Sequence, residues 1–183
     1  MKNNLLFTFC IIFPFWMGCS SGGQHHANAC EQHPEIQSYI EKFISELIDQ
    51  DIQGEKMVTS DEKVETVKMN REELAEAYTI LLDLDIDLPN LIGRYGCEFN
   101  TSGEQTIENY FALDDNLTVR YVKMTFVDDE LMLLEGRRKV GSILASIDQN
   151  LEWNLKTGNL NISVEYKNLF GREYTYEIMF YGE

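Results

Sequence analysis

From Arg94 onward apolar residues recur at every second position, and that period constrains the fold more than any other feature of the chain. Tyr95, Cys97 and Phe99 alternate with polar residues, Ile107, Phe111 and Leu113 mark a second strand, and Leu117, Val119 and Tyr121 open a third. Leu131 to Lys139 reads as a fourth strand. Ile143, Ala145 and Ile147, followed by Leu151, Trp153 and Leu155, read as a long fifth with a bulge at Gln149-Asn150. Leu160, Ile162, Val164 and Tyr166, then Tyr174, Tyr176, Ile178 and Phe180, complete the series. Turn residues at Thr101-Ser102-Gly103, Asp114-Asp115-Asn116, Asp128-Asp129 and Thr157-Gly158-Asn159 separate the runs. Consecutive strands with short turns make an antiparallel meander, and strict alternation requires that one face be covered.

The N-terminal half supplies the cover. Ile36, Tyr39, Ile40, Phe43, Ile44, Leu47 and Ile48 step by three and four behind Pro34, which predicts a helix over about 34–51. Its acidic polar face favours burial in the domain's own core over a membrane surface. Asn70 as N-cap, with Glu73 three residues on, starts a second helix that must end before Pro89. Between them Lys56–Thr59 and Lys63–Met69 alternate around Ser60-Asp61 as a small hairpin. The expected fold is α+β: two N-terminal helices packed on a curved antiparallel meander sheet of six to seven strands, with closure into a barrel around a ligand cavity as the alternative.

Residues 1–18 read as a signal peptide, with Lys2 ahead of an apolar run from Leu5 to Met17 that is too short to span a bilayer. Trp16-Met17-Gly18-Cys19-Ser20-Ser21 resembles the lipobox of bacterial lipoproteins, in which the cysteine is lipidated and becomes N-terminal; Trp16 departs from the usual leucine-like residue. That resemblance implies lipidation of Cys19 and a membrane anchor of acyl chains such as palmitate. Residues 19–33 are then the lipidated cysteine and a small, polar tether, and 34–183 a single globular α+β domain. Ser20 rather than Asp after the cysteine resembles outer-membrane sorting, and the absence of an acidic export tag favours the periplasmic face over the cell surface.

The chain carries 15 Lys and Arg against 31 Asp and Glu, a balance of −16 that argues against nucleic acid. Without residues 1–18 it carries 14 against 31, or −17, so an anionic surface would repel the domain as a whole and attachment would depend on the lipid. Cys10 falls in the signal and Cys19 in the lipobox, which leaves Cys30 and Cys97 as the disulfide candidate in an oxidising periplasm. Two separate buried thiols are the other possibility.

No G-x-S-x-G, G-x-x-x-x-G-K-[ST], H-E-x-x-H or C-x-x-C is present, and His25, His26 and His33 all lie in or beside the tether. No catalytic residue, cofactor or metal is therefore expected. Asp83, Asp85 and Asp87 have the alternate-acid spacing of calcium loops, but the turning glycine and the distal bidentate glutamate are missing. A solvated helix end is the simpler reading. Tyr166, Tyr174 and Tyr176 concentrate on the C-terminal strands, where a tyrosine-rich face is either sheet packing or a binding surface.

The run LAEAYTILLDLDIDLPNLIGRY and the strands after it, taken with the lipobox, resemble a group of uncharacterised outer-membrane lipoproteins of the Bacteroidota. In that group a helix ends in an Asp-Ile-Asn-Lys-Pro-like stretch and a tyrosine a few residues later opens a meander. Asp85-Ile86-Asp87-Leu88-Pro89 and Tyr95 stand at those places, with Asp87 and Leu88 departing from the pattern. The resemblance implies an envelope location and a helix-plus-sheet fold, and no activity. The expected function is that of a lipid-anchored cell-envelope protein, a non-catalytic module binding an envelope protein or an apolar small molecule. A carboxylate hydrolase acting on envelope glycans or lipids is the alternative.

Overall fold

The structure, a computed structural model, describes residues 30, 34–50, 52–60, 63–170 and 173–182, with the side chains of residues 173, 181 and 182 left aside. In chain order the elements are α1 (Ile36–Asp49), β1 (Gly54–Ser60), β2 (Lys63–Met69), α2 (Arg71–Tyr78) continued by a 3-10 segment (Thr79–Leu84), then β3 (Tyr95–Ser102), β4 (Gln105–Ala112), β5 (Val119–Val127), β6 (Glu130–Gly141), β7 (Ala145–Asn154), β8 (Leu160–Asn168) and β9 (Glu173–Gly182). All nine strands form one antiparallel sheet in the order β2-β1-β9-β8-β7-β6-β5-β4-β3.

The expected count of six to seven strands is corrected to nine. Each strand anticipated after Arg94 exists, but the small hairpin is not a separate ornament: β1 pairs with β9 from Gly54↔Gly182 to Thr59↔Glu177 and so extends the sheet by two strands. The pairing joins the first strand to the last, a contact that local alternation cannot announce. Barrel closure is also corrected. β2 and β3 stand at opposite edges of the order and do not pair, while the space a barrel would enclose is filled by side chains from the helices.

Two local expectations shift as well. β7 pairs in unbroken register through Gln149 and Asn150, so no bulge lies there; the irregularities fall between β5 and β6, at Val119/Tyr121 and Thr125/Phe126. Ile143 and Leu155 consequently sit in turns rather than in the strand. The first helix spans Ile36–Asp49 rather than about 34–51, contains the whole apolar pattern, and has Pro34 ahead of it. The second begins as its sequence requires: Asn70 Oδ1 accepts the Glu73 N–H at 3.0 Å and the Glu73 carboxylate accepts the Asn70 N–H at 2.9 Å.

The helices cover one face of the sheet. Ile36, Ile40 and Leu47 of α1, Leu74 and Tyr78 of α2, and Leu81 and Leu84 after it are buried against Met124, Leu134, Leu151, Trp153 and Leu160. Phe43 stacks edge-on to Trp153 at 4.8 Å and lies 5.0 Å from the Tyr78 ring. The Tyr78 hydroxyl donates to the Gly158 carbonyl in the β7–β8 turn, which pins α2 to the end of the sheet. Gly136 makes the close approach possible: a Cβ there would lie 2.5 Å from Leu84 Cδ1.

Candidate functional site

The cover is incomplete, and the register of β6 to β9 shows where it stops. Cross-strand partners place Leu134, Trp153, Leu160 and Phe180 in one row of the helix-facing side, followed by Gly136, Leu151, Ile162 and Ile178. Next come Arg138, Gln149, Val164 and Tyr176, then Val140, Ile147, Tyr166 and Tyr174. The first row is at most 5% exposed, whereas in the last Val140 and Ile147 are 43% and 37% exposed. Arg138 marks the boundary. Its guanidinium reaches over to Asp83 near the end of the 3-10 segment, and past that ion pair no described helix buries the row of Val140 and Ile147.

Towards β1 and β2 the same face opens into a groove of about 630 Å³. Ile162, Ile178 and Phe180 form its floor, Val58 and Val67 the hairpin wall, and Ala77 and Ile80 the opposite wall. Ala77 and Ile80 are helical neighbours three residues apart, so both turn to the groove. The rim carries both signs: Lys56 and Lys68 on the hairpin, Glu65, Glu73 and Glu76 around them. Lys56 Nζ stands 6.0 Å from the centre of the Phe180 ring, within cation–π range. A mostly apolar concavity of this size with a few charges at its lip has the construction of a small-molecule site.

Of the residues singled out in the sequence, the three tyrosines do come together. Tyr166 and Tyr174 are direct partners with ring centres 6.1 Å apart, and Tyr176 shares their face one row closer to the helices. The acids of 83–87 do not converge. Asp83 pairs with Arg138, and Asp85 Oδ1 accepts the Asp87 N–H at 2.9 Å; among the described residues no three His, Cys, Asp or Glu side chains are grouped to hold a metal. Glu98 and Glu177 are exposed on their strands, and Glu108 accepts the Tyr110 hydroxyl at 2.9 Å.

Cys30 and Cys97 stand with their Sγ atoms at disulfide distance. Cys30 is buried and its N–H donates to the Tyr95 carbonyl at 2.9 Å, so the folded unit reaches back to residue 30. Cys19 and residues 1–18 lie outside the described residues, and no helix among the described residues is long and apolar enough to cross a membrane.

The opposite face of β5 to β7 carries charges that pair with one another. Arg137 binds Asp148 through two hydrogen bonds of 2.7 and 2.8 Å, which holds the Asp148 carboxyl below its usual range, and Lys123 pairs with Glu135 at 2.5 Å. In the core burial pushes Tyr95 up to about 12 and raises Tyr78 and Tyr110 further. These are structural hydroxyls: that of Tyr95 donates to the Val119 carbonyl at 3.0 Å.

The groove walls are what the sequence reading missed. Val58 and Val67 belong to the weakest alternation in the chain, and only the pairing of β1 with β9 puts Val58 beside Ile178 and Val67 in the row of Phe180. Compared with known protein families, curated proteins and solved structures, the chain finds no match.

Proposed function

We propose that this protein is a lipid-anchored outer-membrane protein, attached through Cys19, that binds an acyl-chain ligand in the groove between α2 and the β1–β2 hairpin and does no chemistry on it. The observation that carries the ligand reading is the groove itself. Aliphatic side chains from the strands and α2 face an opening that the fold leaves uncovered, with Lys56 and Lys68 at the lip to meet an acidic headgroup. The anchor reading rests on Gly18-Cys19 behind the short apolar run. In an oxidising periplasm the Cys30–Cys97 contact is a disulfide, closing the base of the tether onto β3.

The test is native mass spectrometry of residues 20–183 with palmitate as the probe. A one-to-one complex is expected, lost in Ile178→Glu, which sets a carboxylate in the groove floor. Absence of any complex with palmitate, or equal binding by Ile178→Glu, contradicts the ligand reading. Release of Cys19→Ala from the membrane pellet checks the anchor separately.

A further inference from the structure

We propose that the β6–β7 and β8–β9 turns form a membrane-contacting tip that dips into a phospholipid leaflet. The register shows that these two hairpins project past their neighbours. The last β5 rung is Val119 with Arg138, and the last β1 rung is Thr59 with Glu177, yet β6 runs on to Gly141 and β9 starts at Glu173. The overhang is two to four residues per strand, about 7–14 Å before the turns begin.

The turns carry Ile143, Leu144, Leu169 and Phe170, exposed by 92%, 67%, 62% and 86%. Four large apolar side chains on two adjacent turns are a patch, not scattered singles, since the Leu169 N–H donates to the Leu144 carbonyl at 2.8 Å. Side chains within the turns take up several of their backbone N–H groups. Ser142 Oγ accepts the N–H groups of Leu144 and Ala145, and Asn168 Oδ1 accepts that of Phe170.

Two observations choose a bilayer as the occupant. In a chain of net charge −16, the strand ends behind the turns set Lys139 opposite Asp148 and Lys167 opposite Glu173, so this end carries nearly balanced charge and lacks the acidic excess that would repel a leaflet. Tyr166 and Tyr174 lie just behind the turns, at the depth where amphipathic rings favour the interface. Second, Cys30 is hydrogen-bonded to Tyr95 at the start of β3, the end of the sheet at which β6 finishes and β9 begins. Ten residues, 20–29, link that point to Cys19, and a flexible chain of that length has a root-mean-square span of about 16–19 Å. A tether that short keeps this end of the domain at the membrane. The span argument rests on the lipidation of Cys19 proposed above.

The experiment uses the full processed chain carrying Phe170→Trp, and separately Glu104→Trp on the β3–β4 turn at the other end of the sheet. Each is reconstituted in phosphatidylethanolamine–phosphatidylglycerol vesicles with brominated acyl chains, and the Cys19 acyl mass is read on the same sample. After subtraction of the emission of buried Trp153, measured in the processed wild type, a blue-shifted, bromine-quenched emission from the indole at position 170 with none from that at 104 is expected, lost when Leu144→Glu is added. An acylated chain whose indole at position 170 stays in water, or is shielded by a second copy without bromine quenching, overturns the tip. Quenching at 170 without acylation upholds the tip and removes the anchor reading instead.

Discussion

The two halves of strands β6 to β9 differ in what lies over them and hardly at all in how their sequences alternate. Around Leu134, Trp153 and Leu160 the inner face is sealed by Phe43, Tyr78 and Leu84; around Val140, Ile147, Tyr166 and Tyr174 it is bare. Alternation states that a face is apolar. It does not state whether the cover is a helix of the same chain or something that arrives later. Length decides it here, because the helix layer ends where Arg138 meets Asp83 and β6 to β9 run on past that point.

That contrast can be broken by paired substitutions. Trp153→Ala empties the most crowded part of the core and should cost about 3–5 kcal/mol in chemical denaturation, the largest single effect expected. Cys97→Ser in oxidised protein releases a link across 67 residues and should cost about 4 kcal/mol in the chain-entropy model, with no difference between wild type and variant once both are reduced. Gly136→Ala forces Leu84 aside and should cost about 1–3 kcal/mol. Tyr166→Ala, on the bare half, should cost less than about 1 kcal/mol. A loss at Tyr166 as large as that at Trp153 would mean that the two halves are one core.

Alkaline pH probes the buried tyrosines of the core. The buried tyrosine hydroxyls are held neutral, with Tyr95 raised to about 12, so their contribution is complete below the unfolded value near 10 and is lost as pH climbs towards 12. Unfolding followed by circular dichroism should therefore coincide with tyrosinate absorbance in that window. A fold that titrates these tyrosines near pH 10 without unfolding would contradict their burial.

Much of this architecture is written locally. Asn70 and Glu73 announce the second helix, and the phase of Leu160 to Tyr166 against Tyr174 to Phe180 announces the last hairpin and brings its tyrosines onto one face. The groove is not written locally, because its hairpin wall depends on Gly54 to Thr59 finding Glu177 to Gly182 more than a hundred residues away. The acids at 83–87 mislead for a related reason: spacing brings carboxylates near in sequence, but Asp83 turns to an arginine on β6 that no spacing rule can foresee.

The central claim is that the uncovered groove which the inner face forms beside β1 and β2 is the working surface, and that the sealed part of the same face is scaffold. Amide hydrogen exchange with and without palmitate tests it most directly. Peptides containing Val58, Ile80 and Ile178 should gain protection while those spanning Leu134 and Trp153 stay unchanged. Protection that appears only in the Leu134 and Trp153 peptides, with the groove strands unaffected by bound palmitate, would contradict it.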